Sequence, residues 1–154
     1  MASINKSIRV NVPIRTAYDQ WTQFESFSRF MEGVHEVRQL DEQRLHWVAD
    51  VAGKREEWDA EITQQEPDVR IAWKSTNGAP NAGVVTFQHM SVGVTNVTLQ
   101  MDWEPEGLIE TVGDKLGMAQ GTVEGDLERF KDFIESRNGA TGAWRGTIEE
   151  PSTK

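Results

Sequence analysis

Apolar and polar residues alternate with a period of two along most of the chain, which predicts β-strands. The alternating runs cover residues 3–12, 34–40, 45–51, 58–62, 69–73, 85–87 and 97–103. Turn residues separate the runs after residue 34 at intervals of about 10–16 residues, which is typical of an antiparallel meander. Each run has one apolar and one polar face, so one face of the sheet should be covered and the other solvated.

Three segments follow a helical period instead. Residues 14–21 predict a short amphipathic helix after Pro13, and residues 26–31 predict a second short helix. Residues 108–137 predict one long helix whose apolar stripe runs from Val112 to Ile134. We therefore predict an α+β fold, in which a curved antiparallel sheet of about seven strands wraps around the long helix. Such an arrangement leaves room for a cavity between sheet and helix.

The predicted long helix also contains a row of glycines, four residues apart. They are Gly113, Gly117, Gly121 and Gly125. Glycine inside a helix costs about 1 kcal/mol relative to alanine, so a compensating role is expected. Two interpretations remain open: close packing against another backbone, or space for a ligand or its entrance.

The 154 residues predict a single domain over residues 1–137, followed by a flexible tail over residues 138–154 that contains Trp144. Trp144 either folds back onto the domain or docks a partner. The net charge of −9 argues against nucleic acid and anionic membranes as partners. The start of the chain has no apolar core of a secretory signal, and no run is long enough to span a membrane, so we expect a soluble cytoplasmic protein.

The same sequence offers no pattern for a metal or a nucleotide cofactor. It has no cysteine, and its histidines, His35, His46 and His89, do not have the spacing of metal ligands. Phosphate-binding glycine loops are also missing. We therefore expect neither a metal nor a cofactor.

Several local motifs resemble the START-like (SRPBCC) superfamily, in its polyketide cyclase/dehydrase and coenzyme-Q-binding branch. They lie at residues 10–14, 17–21, 27–34, 58–62, 70–75 and 127–131, and the resemblance covers about residues 3–137. It implies the helix-grip fold and a hydrophobic ligand between sheet and long helix, such as a polyketide, polycyclic, lipid or quinone-like molecule. Some members catalyse aromatic cyclisation or dehydration and others only carry a ligand. No fixed catalytic motif runs through the group, so the resemblance assigns no catalytic residue.

The inward phase of the predicted strands gives a set of aromatic and sulfur-containing side chains, which suit a flat apolar ligand or an ordinary core. With two of the helix glycines, the candidate cavity residues are Trp47, Trp58, Trp73, Phe87, Met101, Trp103, Gly117 and Gly121. A buried indole N–H needs a hydrogen-bond partner, so a polar group or a water molecule is expected near each buried tryptophan.

Three polar residues share this inward phase and are candidates for acid–base chemistry: His89, Ser75 and Glu56. The alternative for His89 is an exposed position at a strand end, and for Glu56 a place at the cavity rim. The sequence thus supports a cyclase/dehydrase-like binder of a hydrophobic small molecule. An aromatase/cyclase or dehydratase acting on a polyketide-like substrate is the second hypothesis, and a protein-interaction module that uses Trp144 is the third.

Overall fold

The computed structural model describes residues 2–31, 33–51, 54–77, 81–103, 112–137 and 139–148. Its seven strands form one antiparallel sheet in the order β1-β7-β6-β5-β4-β3-β2, so the first strand pairs with the last. The strands are β1 Ala2–Val10, β2 Val34–Gln39, β3 Arg44–Val51, β4 Lys54–Glu66, β5 Arg70–Ser75, β6 Asn81–Ser91 and β7 Val94–Trp103. The predicted meander is confirmed.

Within the described residues, two α-helices and one 3-10 helix accompany the sheet. Helix α1 spans Ile14–Trp21, the 3-10 helix spans Phe24–Arg29, and helix α2 spans Val112–Glu135. The first four residues of the predicted long helix, 108–111, lie outside the described residues. The curled sheet, the long C-terminal helix and the few other helices confirm the helix-grip fold. Among the described helices, none combines the length and the apolar character needed to cross a membrane.

The strand register brings the inward-facing side chains into rows that run across the sheet. One row contains Ile62, Trp73, Gly83, Met101 and Ile4, each directly opposite the next. A second row contains Val37, Trp47 and Trp58. Residues far apart in sequence therefore share the covered face, because strand pairing fixes which positions stand opposite each other.

Aromatic rings close the end of the fold at α1 and the 3-10 helix. Trp21 of α1 packs against Phe27, Phe30 and Phe130, with ring centroids 5.1–6.2 Å apart. Phe130 lies on α2, where Val123, Leu127 and Ile134 are also buried. The rings therefore join all three helical elements into one core, which fixes α2 against the sheet.

The C-terminal segment differs from the flexible tail that the sequence predicts. Residues 139–148 fold back onto the domain, and Ile148 exchanges two backbone hydrogen bonds of 2.8 and 2.9 Å with Gln65 of β4. Trp144 packs partly buried against the core. Of its two predicted roles, folding back is the one that the structure shows, and the protein-interaction hypothesis loses the free tryptophan on which it depended.

The physical reason lies in the polar face of α1. Asp19, Gln20 and Thr22 are buried there, and buried polar groups need hydrogen-bond partners. Thr141 exchanges two hydrogen bonds with the Gln20 amide, of 2.9 and 3.1 Å, and the backbone N–H of Trp144 donates to Thr22 Oγ1 at 3.1 Å. These contacts hold the segment against α1 and provide hydrogen-bond partners for the buried Gln20 amide.

Candidate functional site

A cavity of about 140 Å³ lies between α2 and the covered face of the sheet. Its wall combines side chains from β1, β3, β4, β5 and β7 with side chains from the helices and the starts of β2 and β6. The apolar part of the wall consists of Ile4, Trp21, Phe27, Met31, Val34, Trp47, Ala49, Trp58, Trp73, Leu99, Met101 and Val123. Four tryptophans among them make this a predominantly aromatic site, of the kind that suits flat apolar molecules.

Trp47 and Trp58 form a stacked pair of indoles in the cavity wall. They stand directly opposite each other on β3 and β4, and their rings are nearly parallel, 5° apart in plane, with centroids separated by 5.8 Å. A cross-strand pair of this kind holds both indoles in fixed positions. The pair therefore offers a rigid wall on which a planar ligand can lie.

Buried indole N–H groups in this wall lack partners in the structure. The Nε1 atoms of Trp21, Trp47 and Trp58 are buried, and none has a hydrogen-bond partner among the described residues. The sequence predicts a polar group or a water molecule near each buried indole, and among the described residues no group makes a hydrogen bond to these three. A buried donor without an acceptor costs about 1–3 kcal/mol.

The polar edge of the cavity is formed by Asp50, Asn81, Thr122 and Asp126. Asp50 and Thr122 meet at Gly33, where an added Cβ would lie 2.9 Å from the Asp50 carbonyl oxygen. The Asp50 side chain is 49% exposed and that of Asp126 is 14% exposed. Asp50 thus lies at the opening of the cavity and Asp126 deeper in its wall.

Each of the two carboxylates has a basic neighbour. Asp50 Oδ1 lies 3.1 Å from Nε2 of His35, and Arg129 donates to Asp126 from the next turn of α2. Arg129 Nε also donates to the carbonyl oxygen of Phe30 at 3.0 Å, which ties α2 to the end of the 3-10 helix. Both charged side chains in the described lining are therefore carboxylates that already have a basic partner.

The structure brings four of the predicted cavity residues together and places two others, Phe87 and Gly121, outside the lining. Trp47, Trp58, Trp73 and Met101 line the cavity, whereas Phe87 packs edge-on against Tyr18 at 5.4 Å, outside the lining. The side chain of Trp103 and the surroundings of Gly117 lie outside what the structure describes.

The helix glycine Gly121 is not part of the cavity lining. It is exposed, and a Cβ added there would meet no atom within 4 Å. Gly125 instead leaves room for Arg129, whose guanidinium would lie 3.0–3.4 Å from an added Cβ. Neither glycine packs against another backbone, so the row serves different purposes at different positions.

None of the three acid–base candidates lines the cavity. His89 is exposed near the end of β6, opposite Thr95, and Ser75 Oγ accepts a hydrogen bond from the backbone N–H of Asn81 at 3.0 Å. Glu56 is partly exposed and stands opposite Ala49, one position from the cavity wall. Acid–base chemistry by these side chains therefore has no geometric basis in this cavity.

Strand phase does not select two of the lining residues, Trp21 and Asp126, but helical spacing indicates both. Asp126 lies three residues after Val123, on the stripe that faces the sheet, and Trp21 lies on the apolar face of α1. Asp50 and Asn81 gave no such signal, because their place depends on how strand ends meet α2. No group of three or more His, Asp or Glu among the described residues is arranged to hold a metal ion.

Comparison with known proteins agrees with this geometry. Residues 10–132 match the family described as polyketide cyclase/dehydrase and lipid transport. An uncharacterized 17.2 kDa protein from the melC2–rnhH intergenic region of Streptomyces lincolnensis is 51% identical over 149 residues, which cover 96% of this chain and 99% of that protein.

Two solved structures share the fold at low identity. The Zhui aromatase/cyclase from Streptomyces sp. R1128 has a TM-score of 0.71 and 16% identity, over 93% of this chain and 99% of that one. A START superfamily protein from Mycobacterium smegmatis has a TM-score of 0.73 and 10% identity, over 87% and 97%. With its START-like helix-grip fold and a match over most of its length, this chain belongs to the polyketide cyclase/dehydrase and lipid transport family.

Proposed function

We propose that the chain binds a hydrophobic aromatic small molecule in the cavity between α2 and the sheet. The observation that carries the proposal is the stacked pair of Trp47 and Trp58 beside an otherwise apolar space. Family membership supports it, since the family is described by polyketide cyclisation, dehydration and lipid transport. The polyketide-like, polycyclic, lipid or quinone-like ligands implied by the sequence resemblance share this apolar character.

The volume limits the ligand. An apolar cavity of roughly 150 Å³ in another protein holds benzene, so about 140 Å³ accommodates a single ring, and a second fused ring would reach into the opening. A longer polyketide or isoprenoid chain would extend through the opening beside Asp50 and Thr122, both of which are exposed. We therefore expect the bound part of the ligand to be a small ring system.

The test is to look for a bound molecule and then to fill the space. Native mass spectrometry of the purified chain should show an additional mass that is lost on denaturation, and organic extraction should recover an apolar compound. Ala49→Leu would project into the cavity and should abolish binding of an added naphthalene derivative. Ala72→Leu adds the same atoms on β5 outside the cavity lining and is the matched control.

The result that overturns the proposal is equally direct. If the purified chain carries no ligand and binds no naphthalene derivative, the cavity has no binding function. If Ala49→Leu and Ala72→Leu bind alike, the ligand occupies another place.

A second function, cyclase or dehydratase chemistry, is favoured by Asp126. A carboxylate that is 14% exposed in the wall of an aromatic cavity can remove a proton from a carbon between two carbonyls, which is the step that ring closure needs. The structural neighbour from Streptomyces sp. R1128 is itself described as an aromatase/cyclase. Asp126→Asn should then abolish turnover of a poly-β-keto thioester while the ring still binds.

The control for this second function is Asp132→Asn, an exposed position on the same helix. Turnover that survives Asp126→Asn at the wild-type rate would exclude Asp126 as the base. An unchanged substrate after incubation with the wild-type chain would leave binding as its function.

A further inference from the structure

Two elements meet along the helical side of the cavity: helix α2 and the connection from the 3-10 helix to β2. Val123 and Asp126 of α2 line the cavity, and so do Met31 and Gly33 of the connection. These elements lie far apart in the sequence, so the chain itself does not hold them at a fixed distance. The width of the cavity on this side depends on how closely they are held together.

The side chain of Arg129 joins these two elements. Its Nε donates a hydrogen bond of 3.0 Å to the carbonyl oxygen of Phe30, the residue before Met31. Its Nη2 donates to the Asp126 carboxylate in the cavity wall. One guanidinium thus bonds to the connection and to α2 at once, which its planar fork of donors permits.

Gly125 makes room for this arrangement. A Cβ added there would lie 3.0 Å from Nη1 and 3.1 Å from Nη2 of Arg129, which is closer than ordinary van der Waals contact. The guanidinium therefore lies over the helix at a position that has no side chain. Glycine is unfavourable inside a helix, so the space it leaves for Arg129 is a physical reason for its presence at this position.

The hydrogen bond from Arg129 orients the peptide group that leads into Met31. The Phe30 ring packs against Phe130 and Phe133 of α2, with centroids 5.3 and 5.4 Å away, so the ring is anchored and Arg129 fixes the carbonyl group. Met31 is 8% exposed and lines the cavity. An unbranched methionine side chain adapts to its surroundings, so the backbone that carries it decides how far it reaches into the cavity.

We infer, on the basis of the proposed binding function, that Arg129 is a positioning residue that limits the size of the ligand. It holds the connection against α2 and so keeps Met31 in the cavity wall, although Arg129 itself is not among the described lining residues. Packing and hydrogen bonds around a site fix its dimensions in this way. The ligand class that results is a system of one or two aromatic rings, with three fused rings excluded.

Three aryl ketones that differ only in the number of fused rings measure this limit. They are acetophenone, 2-acetylnaphthalene and 2-acetylphenanthrene. In titration calorimetry, the wild-type chain should bind 2-acetylphenanthrene several-fold more weakly than 2-acetylnaphthalene, because a rigid third ring has no room in about 140 Å³. The ratio of these two affinities is the quantity to follow, since it cancels a general loss of packing in a variant.

Two substitutions break the connection by different routes, and each has a matched control. Arg129→Met keeps the aliphatic stem and removes the donors, whereas Gly125→Leu keeps Arg129 and occupies the place of its guanidinium. Both should raise the affinity for 2-acetylphenanthrene relative to 2-acetylnaphthalene several-fold. Lys131→Met removes a cation that donates to the carbonyl oxygen of Arg9 on β1, and Gly121→Leu adds a side chain where no atom lies within 4 Å. Both controls should leave the ratio unchanged.

A double substitution tests whether Arg129 acts through Met31. Met31→Ala alone should raise the same ratio, because it shortens a side chain in the cavity wall. Adding Arg129→Met to Met31→Ala should change the ratio little further, since the width no longer depends on where that side chain lies. A residue that only stabilised the fold would not show this dependence.

Failure of the size limit and failure of the proposed function give different results. If none of the three ketones binds to the wild-type chain, the binding function itself fails. If they bind but Arg129→Met and Gly125→Leu leave the ratio unchanged, the cavity binds aromatic molecules and Arg129 does not set its width. A ratio that changes equally in Lys131→Met or Gly121→Leu would also overturn the role of Arg129. If Arg129→Met does not fold, Gly125→Leu, which keeps every donor, decides.

Discussion

At the scale of single residues, the glycine opposite Trp73 decides the shape of the cavity wall. Gly83 on β6 pairs with Trp73 on β5, and a Cβ added to it would lie 2.5 Å from Cζ2 of the indole. The ring therefore lies across a position where only glycine fits. Because Trp73 lines the cavity, the absence of a side chain at Gly83 determines the position of the indole in the cavity wall.

Gly83→Ala should therefore move the Trp73 ring and destabilise the fold by about 1–3 kcal/mol, the usual cost of overpacking. Urea unfolding would measure the loss, and titration with 2-acetylnaphthalene would measure the altered cavity. If Gly83→Ala has wild-type stability and affinity, the Trp73 indole moves without a free-energy cost and the prediction is wrong.

Gly121 on α2 gives the contrasting case. Gly121 is exposed, and a Cβ added there would meet open space. The lack of a side chain at this position therefore serves neither packing nor the cavity lining. Gly121→Ala should stabilise the protein by about 0.5–1 kcal/mol through helix propensity. For a chain of this size the melting temperature should rise by about 1–4 °C, with ligand affinity unchanged. A loss of affinity would place Gly121 in the path of the ligand.

At the scale of elements, a histidine on the solvated face connects β3 and β4. His46 Nδ1 lies 2.7 Å from Asp59 Oδ1, and its Nε2 lies 3.2 Å from Glu57 Oε1. Hydrogen bonding to Asp59 raises the pKa of His46, and the same bond lowers the pKa of Asp59. Both side chains are therefore charged at pH values between the pKa of Asp59 and that of His46. The ion pair is lost when the pH leaves this range in either direction.

The pH dependence follows from these directions. The contribution of His46 is complete below its unfolded pKa of about 6.5 and is lost as pH rises through the higher folded value. That of Asp59 is complete above its unfolded pKa of about 3.9 and is lost in more acidic solution. His46→Gln should therefore cost most near pH 5.5, by less than about 1 kcal/mol because both groups are partly exposed, and least near pH 9. Urea unfolding at both pH values tests this, and a cost that grows with pH would contradict it.

A second connection between elements joins the C-terminal segment to α1. Arg145 pairs with Asp19 of α1 and, at 2.8 Å, with Asp68, and its guanidinium lies 5.3 Å from the centroid of the Tyr18 ring. Since Asp19 is nearly buried, loss of Arg145 would leave its charge poorly compensated. The segment therefore belongs to the folded domain.

Arg145→Met should lower the free energy of unfolding by about 1–3 kcal/mol. Arg15 provides the matched control, because it approaches the same carboxylate at 3.8 Å but is 72% exposed. Arg15→Met should cost less than about 0.5 kcal/mol in the same urea titration. Equal effects of the two substitutions would show that the segment contributes little to stability.

At the scale of the whole molecule, the sequence predicts the helices and strands better than it predicts the contacts between them. Period-two alternation was enough for the seven strands, and with the long helix it predicted the wrapped architecture. The tail was expected to be flexible because its composition is that of a linker. Its docking depends on buried polar groups of α1 more than 100 residues away, such as Gln20, which no local pattern reveals.

The same limit applies to the cavity. Strand phase selected Trp47, Trp58, Trp73 and Met101, because alternation determines which side chains face inward. It also selected Phe87, which faces inward but lies where α1 covers the sheet. Strand phase indicates on which face of the sheet a residue lies, but not where it lies along the groove. The extent of the cavity depends on how the helices pack against the sheet, which strand phase does not predict.

Binding in the cavity should stabilise the whole fold, since the site is built from strands and helices that come together only in the native state. A ligand at 100 times its Kd adds about 2.7 kcal/mol, which for a chain of this size corresponds to a rise of about 5–11 °C in melting temperature. 2-Acetylnaphthalene should produce this rise in the wild-type chain and in Ala72→Leu, and none in Ala49→Leu. Differential scanning calorimetry at several ligand concentrations measures the shift. If calorimetric titration detects binding but the melting temperature does not move, the ligand binds native and unfolded chains alike, and the cavity is not its site.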